Sequence, residues 1–285
     1  MIDRRRILDH TMTLLAWLSA AAMLLLVASM IGYVVARGYS ALSIDFLIEP
    51  PRDSMTKGGI MTPLIGTIQL VFFAMLFAIP VGVATGLYFA EYARNDGFTA
   101  VLRLAIRCLA GVPSVVFGLF GLSLFVILLR LGSSLLSASL TLACLTLPLI
   151  VTASEQAFLA VPEDYRFASY ALGASKWQTI WKVILPTASP TVITGIILSV
   201  GRVAGETAPI MFTGAAFFTP GIARSIFSEV MALPYHIYVL ATAGTAIEET
   251  RHIQYGTVLV LLLMVLGICS VGIYMRSRLR RRLRA

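Results

Sequence analysis

Six stretches of this 285-residue chain run for 19 residues or more without an Asp, Glu, Lys or Arg: 11–36, 58–90, 108–129, 131–154, 183–201 and 252–275. About 20 apolar residues in a helix cross the roughly 30 Å hydrocarbon core of a bilayer. The runs therefore predict an all-α integral membrane protein with six transmembrane helices. Composition agrees: 58% of the residues are hydrophobic and 13% charged, a balance that lipid solvates and water does not.

The formal charge of +8 follows membrane orientation, not nucleic-acid binding. With six spans, Arg4–Arg6, Arg94, Arg103, Arg107, Arg166, Lys176, Lys182 and the six arginines of "RSRLRRRLR" all fall on one side. The other side receives Arg37, Arg52, Lys57, Arg130, Arg224 and Arg251. Basic residues concentrate on the cytoplasmic side of membrane proteins, so both termini are expected there. The first run is too long for the apolar region of a secretory signal and reads as a retained anchor. Cys108, Cys144 and Cys269 stand singly in apolar surroundings, which gives neither a disulfide framework nor a metal site and suggests small packing residues.

One further stretch, 230–247, is also uncharged, but Pro234, His236 and the small residues at 243–245 make it a poor lipid-facing helix. Counting it as a span would carry the arginine-rich tail outside. Residues 210–251 are therefore expected to form an outer segment that packs over the bilayer or dips toward it. Its His236, Glu229, Glu248, Glu249 and Arg251, with the adjoining His252, read either as a solvated surface or as a contact patch for a substrate-delivering protein. The resulting division is an N-terminal segment with the first helix and outer loop (1–56), a core (57–275) and a basic tail (276–285).

Within the spans, Gly82/Gly86 and Gly201/Gly205 have the GxxxG spacing that lets helix backbones approach. In "GVPSVVFGLFGL" (111–122), Pro113, Gly118 and Gly121 are expected to break or bend the third span, which is tolerated against protein or a water-filled path. Gln69 and Ser114 could line such a path or simply hydrogen-bond between helices.

The longest polar interruption on the basic side, 155–186, reads as two short helices. Pro162, Glu163 and Asp164 suit a helix start, and Gly173 suits its end. Ser175 and Gln178 have capping-box spacing, and Trp177, Ile180, Trp181 and Ile184 follow at i, i+3, i+4, i+7 as one apolar stripe. Such a loop is a docking surface or an anchor lying in the headgroups.

"GRVAGETAPI" (201–210) places Arg202 and Glu206 in the fifth apolar stretch. If the helix continues, Thr191, Gly195, Ser199, Arg202, Glu206, Pro209 and Thr213 form one polar stripe, with Thr207 adjoining it. A charge at membrane depth costs at least a few kcal/mol, so the two face protein or water and can neutralise each other at i, i+4. They are either a structural ion pair or a site where a planar, permanently charged guanidinium meets a permeating oxyanion.

The spacing Ala168, Ser169, Gly173, Val183, Leu185, Pro186 resembles the "EAA" loop of ABC importer permeases. Together with "GGIMTPLIGT" (58–67), "GVPSVVFGLFGL", "ALGASKWQTIWKVILPTASP" (171–190) and "GRVAGETAPI", it resembles the PstA-type permeases of phosphate importers over about half of the chain. That resemblance implies the type I ABC importer permease fold and a path for inorganic phosphate lined by Ser199, Arg202, Glu206 and Thr207. It also implies that Arg166, Phe167, Ala168, Ser169, Leu172, Gly173, Ala174 and Lys176 couple to an ATPase. Phe167 stands where the family has Glu, so an apolar contact replaces a charged one. The implied partners are a PstC-type second permease, a PstB-type ATPase dimer and a PstS-type phosphate-binding protein, periplasmic or lipid-anchored, with membrane lipid around the assembly. No cofactor is expected on this chain; ATP and Mg belong to the partner ATPase, since no GxxxxGK[ST] phosphate loop occurs here. The rival readings are a permease for molybdate or sulfate, and an intramembrane enzyme using Glu206, for which the spans offer no second acid or base at similar depth.

Overall fold

The structure, a computed structural model, describes residues 2–94, 96–219, 221–242 and 247–282. In chain order, α1 (Ile2–Gly38) leads through a short helix, α2 (Ile44–Ile48), and a two-residue hairpin, β1 (Pro51–Arg52) and β2 (Lys57–Gly58), into α3 (Met61–Glu91). Next come α4 (Gly97–Ala110), α5 (Ser114–Gly121) with its π-helical continuation to Leu128, and α6 (Leu135–Leu159). The loop helices α7 (Glu163–Ala171) and α8 (Lys176–Thr179) run through a π-turn (Ile180–Ile184) into α9 (Leu185–Gly205). Short α10 (Ala208–Thr213) and α11 (Leu233–Thr242) precede the final α12 (Ile247–Arg282). The turn-prone residues 243–245 and the last three residues of the tail lie outside the described residues.

Among the described residues, five helices are long and apolar enough to span a membrane: Leu8–Ala41, Met61–Glu91, Leu135–Leu159, Lys176–Gly205 and Thr250–Arg281. The third span is bent, as expected, and it begins earlier than the uncharged run, at Gly97. Residues 108–129 are not one straight helix: α4 and the arm from Ser114 to Leu128 meet at 102°, and counted as one bent span they bring the crossings to six. Pro113 sits at the bend, where it has no N–H to continue the α4 ladder. Gly118 and Gly121 do not break the helix. They are close-approach positions, with Pro209 Cα 3.0 Å from a Cβ built at Gly118 and Thr141 Oγ1 2.0 Å from one at Gly121.

The core forms where α3 and α6 lie side by side and α9 packs on both. Leu70, Ala74 and Ala78 of α3 meet Leu142, Leu145 and Ile150 of α6 and Val203 of α9. Gly82 and Gly86 make that approach possible, because built Cβ atoms there would lie 2.6 Å from Ile150 Cγ2 and 2.7 Å from Ser154 Cβ. The second expected pair is half a contact: a Cβ on Gly201 would lie 3.3 Å from Cys269 Sγ, while one on Gly205 would meet nothing within 4 Å. In contrast, α1 leaves its apolar flank exposed from Leu8 to Val35 and touches α12 near Tyr33 and Tyr255. Cys108 is exposed, so only Cys144 and Cys269 are partly packed as expected.

The outer segment folds down onto the ends of α3 and α6. The α6 N-terminus is bonded by it: Ser134 N–H donates to the Thr213 carbonyl (3.1 Å), and Leu135 N–H to the Ser228 carbonyl (2.8 Å). Leu233 N–H donates to Thr67 Oγ1 at 2.8 Å, and Gln69 Nε2 to the Ala223 carbonyl at 3.1 Å. Gln69 thus joins a helix to the outer segment. His236 is not on a solvated surface; α11 buries it, and neither ring nitrogen has a hydrogen-bond partner among the described residues.

Candidate functional site

The intramembrane pair is built at a helix end. The expected stripe from Thr191 to Thr213 does not lie on one helix, because α9 stops at Gly205 and Glu206 is extended at φ −74°, ψ 129°. Pro209 lacks an N–H and its ring would collide with the Gly205 carbonyl if the helix ran through, so the chain restarts as α10 with Pro209 in its first turn. Pro209 and Thr213 accordingly belong to α10, where both are buried.

Arg202 and Glu206 nevertheless pair. Arg202 Nε donates to Glu206 Oε1 at 3.3 Å. Among the described residues the two terminal guanidinium nitrogens make no hydrogen bond, and the Arg202 side chain is 37% exposed against 15% for Glu206. Glu206 also lines a small cavity with Thr67, Leu70 and Val71 of α3 and Leu142 of α6. Ser199 is buried and donates to its own helix at the Gly195 carbonyl (3.0 Å). Thr207 is half-buried at the start of α10.

Depth follows from the packing of α9 on α12. Thr194 Oγ1 accepts from Arg276 at 3.1 Å, at the edge of the basic tail. Arg202 is two turns beyond Thr194 and so about 12 Å further along the helix into the apolar layer. Its guanidinium therefore sits in the last turn of an apolar helix on an open face of this chain, with no hydrogen bond to its terminal nitrogens among the described residues.

The second site is the loop. Glu163 and Asp164 open α7, Gly173 adopts φ +80° after it, and Ser175 and Gln178 complete a reciprocal capping box on α8. Pro162 sits one position earlier than expected, at the N-cap. Ala168, Ser169, Leu172, Gly173 and Ala174 line an open groove of about 510 Å³. Leu172 is 89% exposed and Phe167 63% exposed beside it. An apolar tip presented to water this way marks an interaction surface.

The expected apolar stripe of this loop is corrected. Ile180 and Ile184 are fully buried, but Trp177 and Trp181 point outward and pack edge to face on each other with ring centroids 5.5 Å apart. The π-turn over Ile180–Ile184 widens the helical period, so i, i+3, i+4, i+7 no longer share one face.

Arg166 and Lys176 do not extend into the groove's mouth. Arg166 donates to Glu91 Oε1 (2.8 Å) and to the Phe158 carbonyl (2.9 Å), and Lys176 to the Glu91 carbonyl. Glu91, Glu155 and Arg103 are the residues that sequence reading missed: Arg103 Nε donates to Glu155 Oε1 at 2.7 Å. A signal existed, since Glu91 and Glu155 are the first charges after two apolar runs and are acidic on the basic side.

Residues 78–285 match the family described as binding-protein-dependent transport system inner membrane component. A probable ABC transporter permease protein of Bacillus subtilis, YqgI, is 35% identical over 92% of both chains. The phosphate transport system permease protein PstA of Mycobacterium leprae is 34% identical over 98% of this chain and 92% of its own. Among solved structures, a bacterial alginate ABC transporter in complex with a pentasaccharide-bound periplasmic protein superposes with a TM-score of 0.65 at 13% identity, over 92% of this chain and 94% of that one. The inward-facing MetNI methionine ABC transporter gives 0.58 at 19% identity, over 78% and 94%. At these identities the likeness is one of fold, that of a type I ABC importer permease.

Proposed function

The chain belongs to the binding-protein-dependent transport system inner membrane component family, and from that premise we propose that it is a PstA-like permease subunit carrying inorganic phosphate across the inner membrane. Relatives named as phosphate permeases over nearly the full length support the substrate. The observation that carries the reading is the Arg202 guanidinium: in the last turn of an apolar helix, on an open face, held by Glu206 through Nε alone. Two terminal nitrogens with paired N–H donors match two oxygens of a phosphate. Glu206 offsets part of the positive charge, so the anion is met without being trapped.

A guanidinium on an exposed face in lipid needs a covering surface. A second, PstC-type permease supplies it and completes the path. ATP and Mg act on a PstB-type ATPase pair seated against the 163–174 loop, and a PstS-type binding protein delivers phosphate to the outer segment. The arginine-rich tail supports a cytoplasmic location for both termini. Ligand-dependent closure of the ATPases then biases the permease pair between inward- and outward-open states.

Reconstitution of the four-component complex in proteoliposomes tests this, with ATP enclosed on the loop side and radiolabelled phosphate outside. ATP-dependent uptake that excess sulfate or molybdate leaves untouched supports the reading. Uptake of one of those anions in place of phosphate overturns the substrate assignment.

A further inference from the structure

The last turn of α3 gathers three cations from three different elements. Arg103 of α4 donates to the Phe89 carbonyl at 2.8 Å while its Nε holds Glu155 of α6. Arg166 of α7 donates to the Glu91 carboxylate and, on its other edge, to the Phe158 and Val161 carbonyls just at the end of α6. Lys176, the first residue of α8, donates to the Glu91 carbonyl and lies 4.3 Å over the Tyr92 ring. A helix leaves its last carbonyls without intrahelical partners and concentrates negative potential there. Here two of them, the Phe89 and Glu91 carbonyls, accept from side chains of the flanking elements.

The consequence is sharpest for α7, which buries no residue of its own against the bundle. Its attachments are the Arg166 fan and one hydroxyl contact, Ser169 to Thr179 of α8 at 2.8 Å. By contrast, the segment after α8 is fixed by burial of Ile180 and Ile184 beside Phe158 and Val161. The orientation of α7 relative to α3 and α6 is therefore set by charge, through one guanidinium that bridges the ends of both helices.

We propose that this clasp is the joint that transfers displacement of the loop to α3 and α6, with Glu91, Arg166 and Lys176 as positioning residues. The inference rests on the reading of 163–174 as the ATPase contact. Glu91 touches neither the groove nor the Arg202 path, so its removal separates force transfer from docking and from anion contact. Glu91→Gln keeps an acceptor at the position and removes the charge that orients Arg166.

The test uses the complete complex and reads two quantities: ATPase subunits retained on purification, and stimulation of ATP hydrolysis by the loaded binding protein. Glu91→Gln is expected to retain the ATPase subunits and basal hydrolysis while stimulation and uptake fall about tenfold, within the range by which single positions alter coupling. Arg166→Lys, which keeps the charge but loses the fan of donors, is expected to be intermediate, and Glu91→Asp to recover part of the loss. Stimulation is measured with the binding protein loaded with phosphate, sulfate or molybdate. A wrong substrate assignment then shows as a changed anion preference of the unaltered complex and leaves the clasp comparison intact. Full stimulation in Glu91→Gln overturns the proposal, and so does loss of the ATPase subunits, which would make Glu91 a docking residue.

Discussion

Arg202 Nε stands 3.3 Å from Glu206 Oε1 across the end of a helix, with Arg202 helical in α9 and Glu206 extended beyond it. The pair is therefore held by a backbone break and not by the regular geometry of an i, i+4 contact. Among the described residues only the Nε of the guanidinium is engaged. A helix continued through Pro209 would place both charges side by side on one surface. The break leaves a half-buried acid paired with a guanidinium whose outer edge is open.

Gly173 has φ +80° and open space where a Cβ would stand, so substitution there strains the backbone and crowds nothing. Gly173→Val should cost about 1–3 kcal/mol of local strain and detach the ATPase subunits without affecting insertion. Gly173→Asn, a residue that tolerates the left-handed region, should retain them. Subunit content after affinity purification checks both, and equal behaviour of the two variants would remove the conformational explanation.

Gly86 faces Ser154 with no room for a side chain. Gly86→Val should wedge α3 from α6 and destabilise the bundle by about 1–3 kcal/mol. Gly205→Ala should have no effect of that kind, since nothing lies within 4 Å of its built Cβ. Thermal unfolding of the detergent-solubilised chain should show a lowered midpoint for Gly86→Val alone.

His236 is buried without a hydrogen-bond partner among the described residues, an arrangement that costs free energy. His236→Leu should therefore leave the unfolding temperature unchanged or raised. A large fall would mean that the imidazole has a partner in the assembled transporter.

Topology is checked by a membrane-impermeant thiol reagent in intact cells. Lys57→Cys, in the exposed outer hairpin, should be labelled, and Ser277→Cys, in the exposed start of the tail, should be protected. Labelling of both would put the tail outside and contradict the crossing count.

Most of the architecture was legible because its signal is long. Uncharged runs, the glycine spacing at 82 and 86, and the caps at Gly173 and Ser175 each depend on residues near in sequence. What sequence reading missed depends on local breaks or distant pairs. Pro209 was visible, yet its effect falls on the Gly205 carbonyl, so the polar stripe was extended about two turns too far. The π-turn after Thr179 rotated Trp177 and Trp181 out of the stripe, and periodicity counted at 3.6 has no term for it. Arg103 and Arg166 were counted as orientation charges, although their partners Glu155 and Glu91 stand 52 and 75 positions away.

The central claim is that the open edge of Arg202 meets the anion and that Glu206 only holds it. Phosphate uptake by the double variant Arg202→Gln/Glu206→Gln, in complexes shown to be fully assembled, tests it most directly. The account predicts that Arg202→Gln abolishes uptake, that Arg202→Lys keeps part of it because a point charge lacks paired donors, that Glu206→Gln is milder, and that the double variant stays inactive. Full transport by the double variant would make the pair a structural one and contradict the anion role.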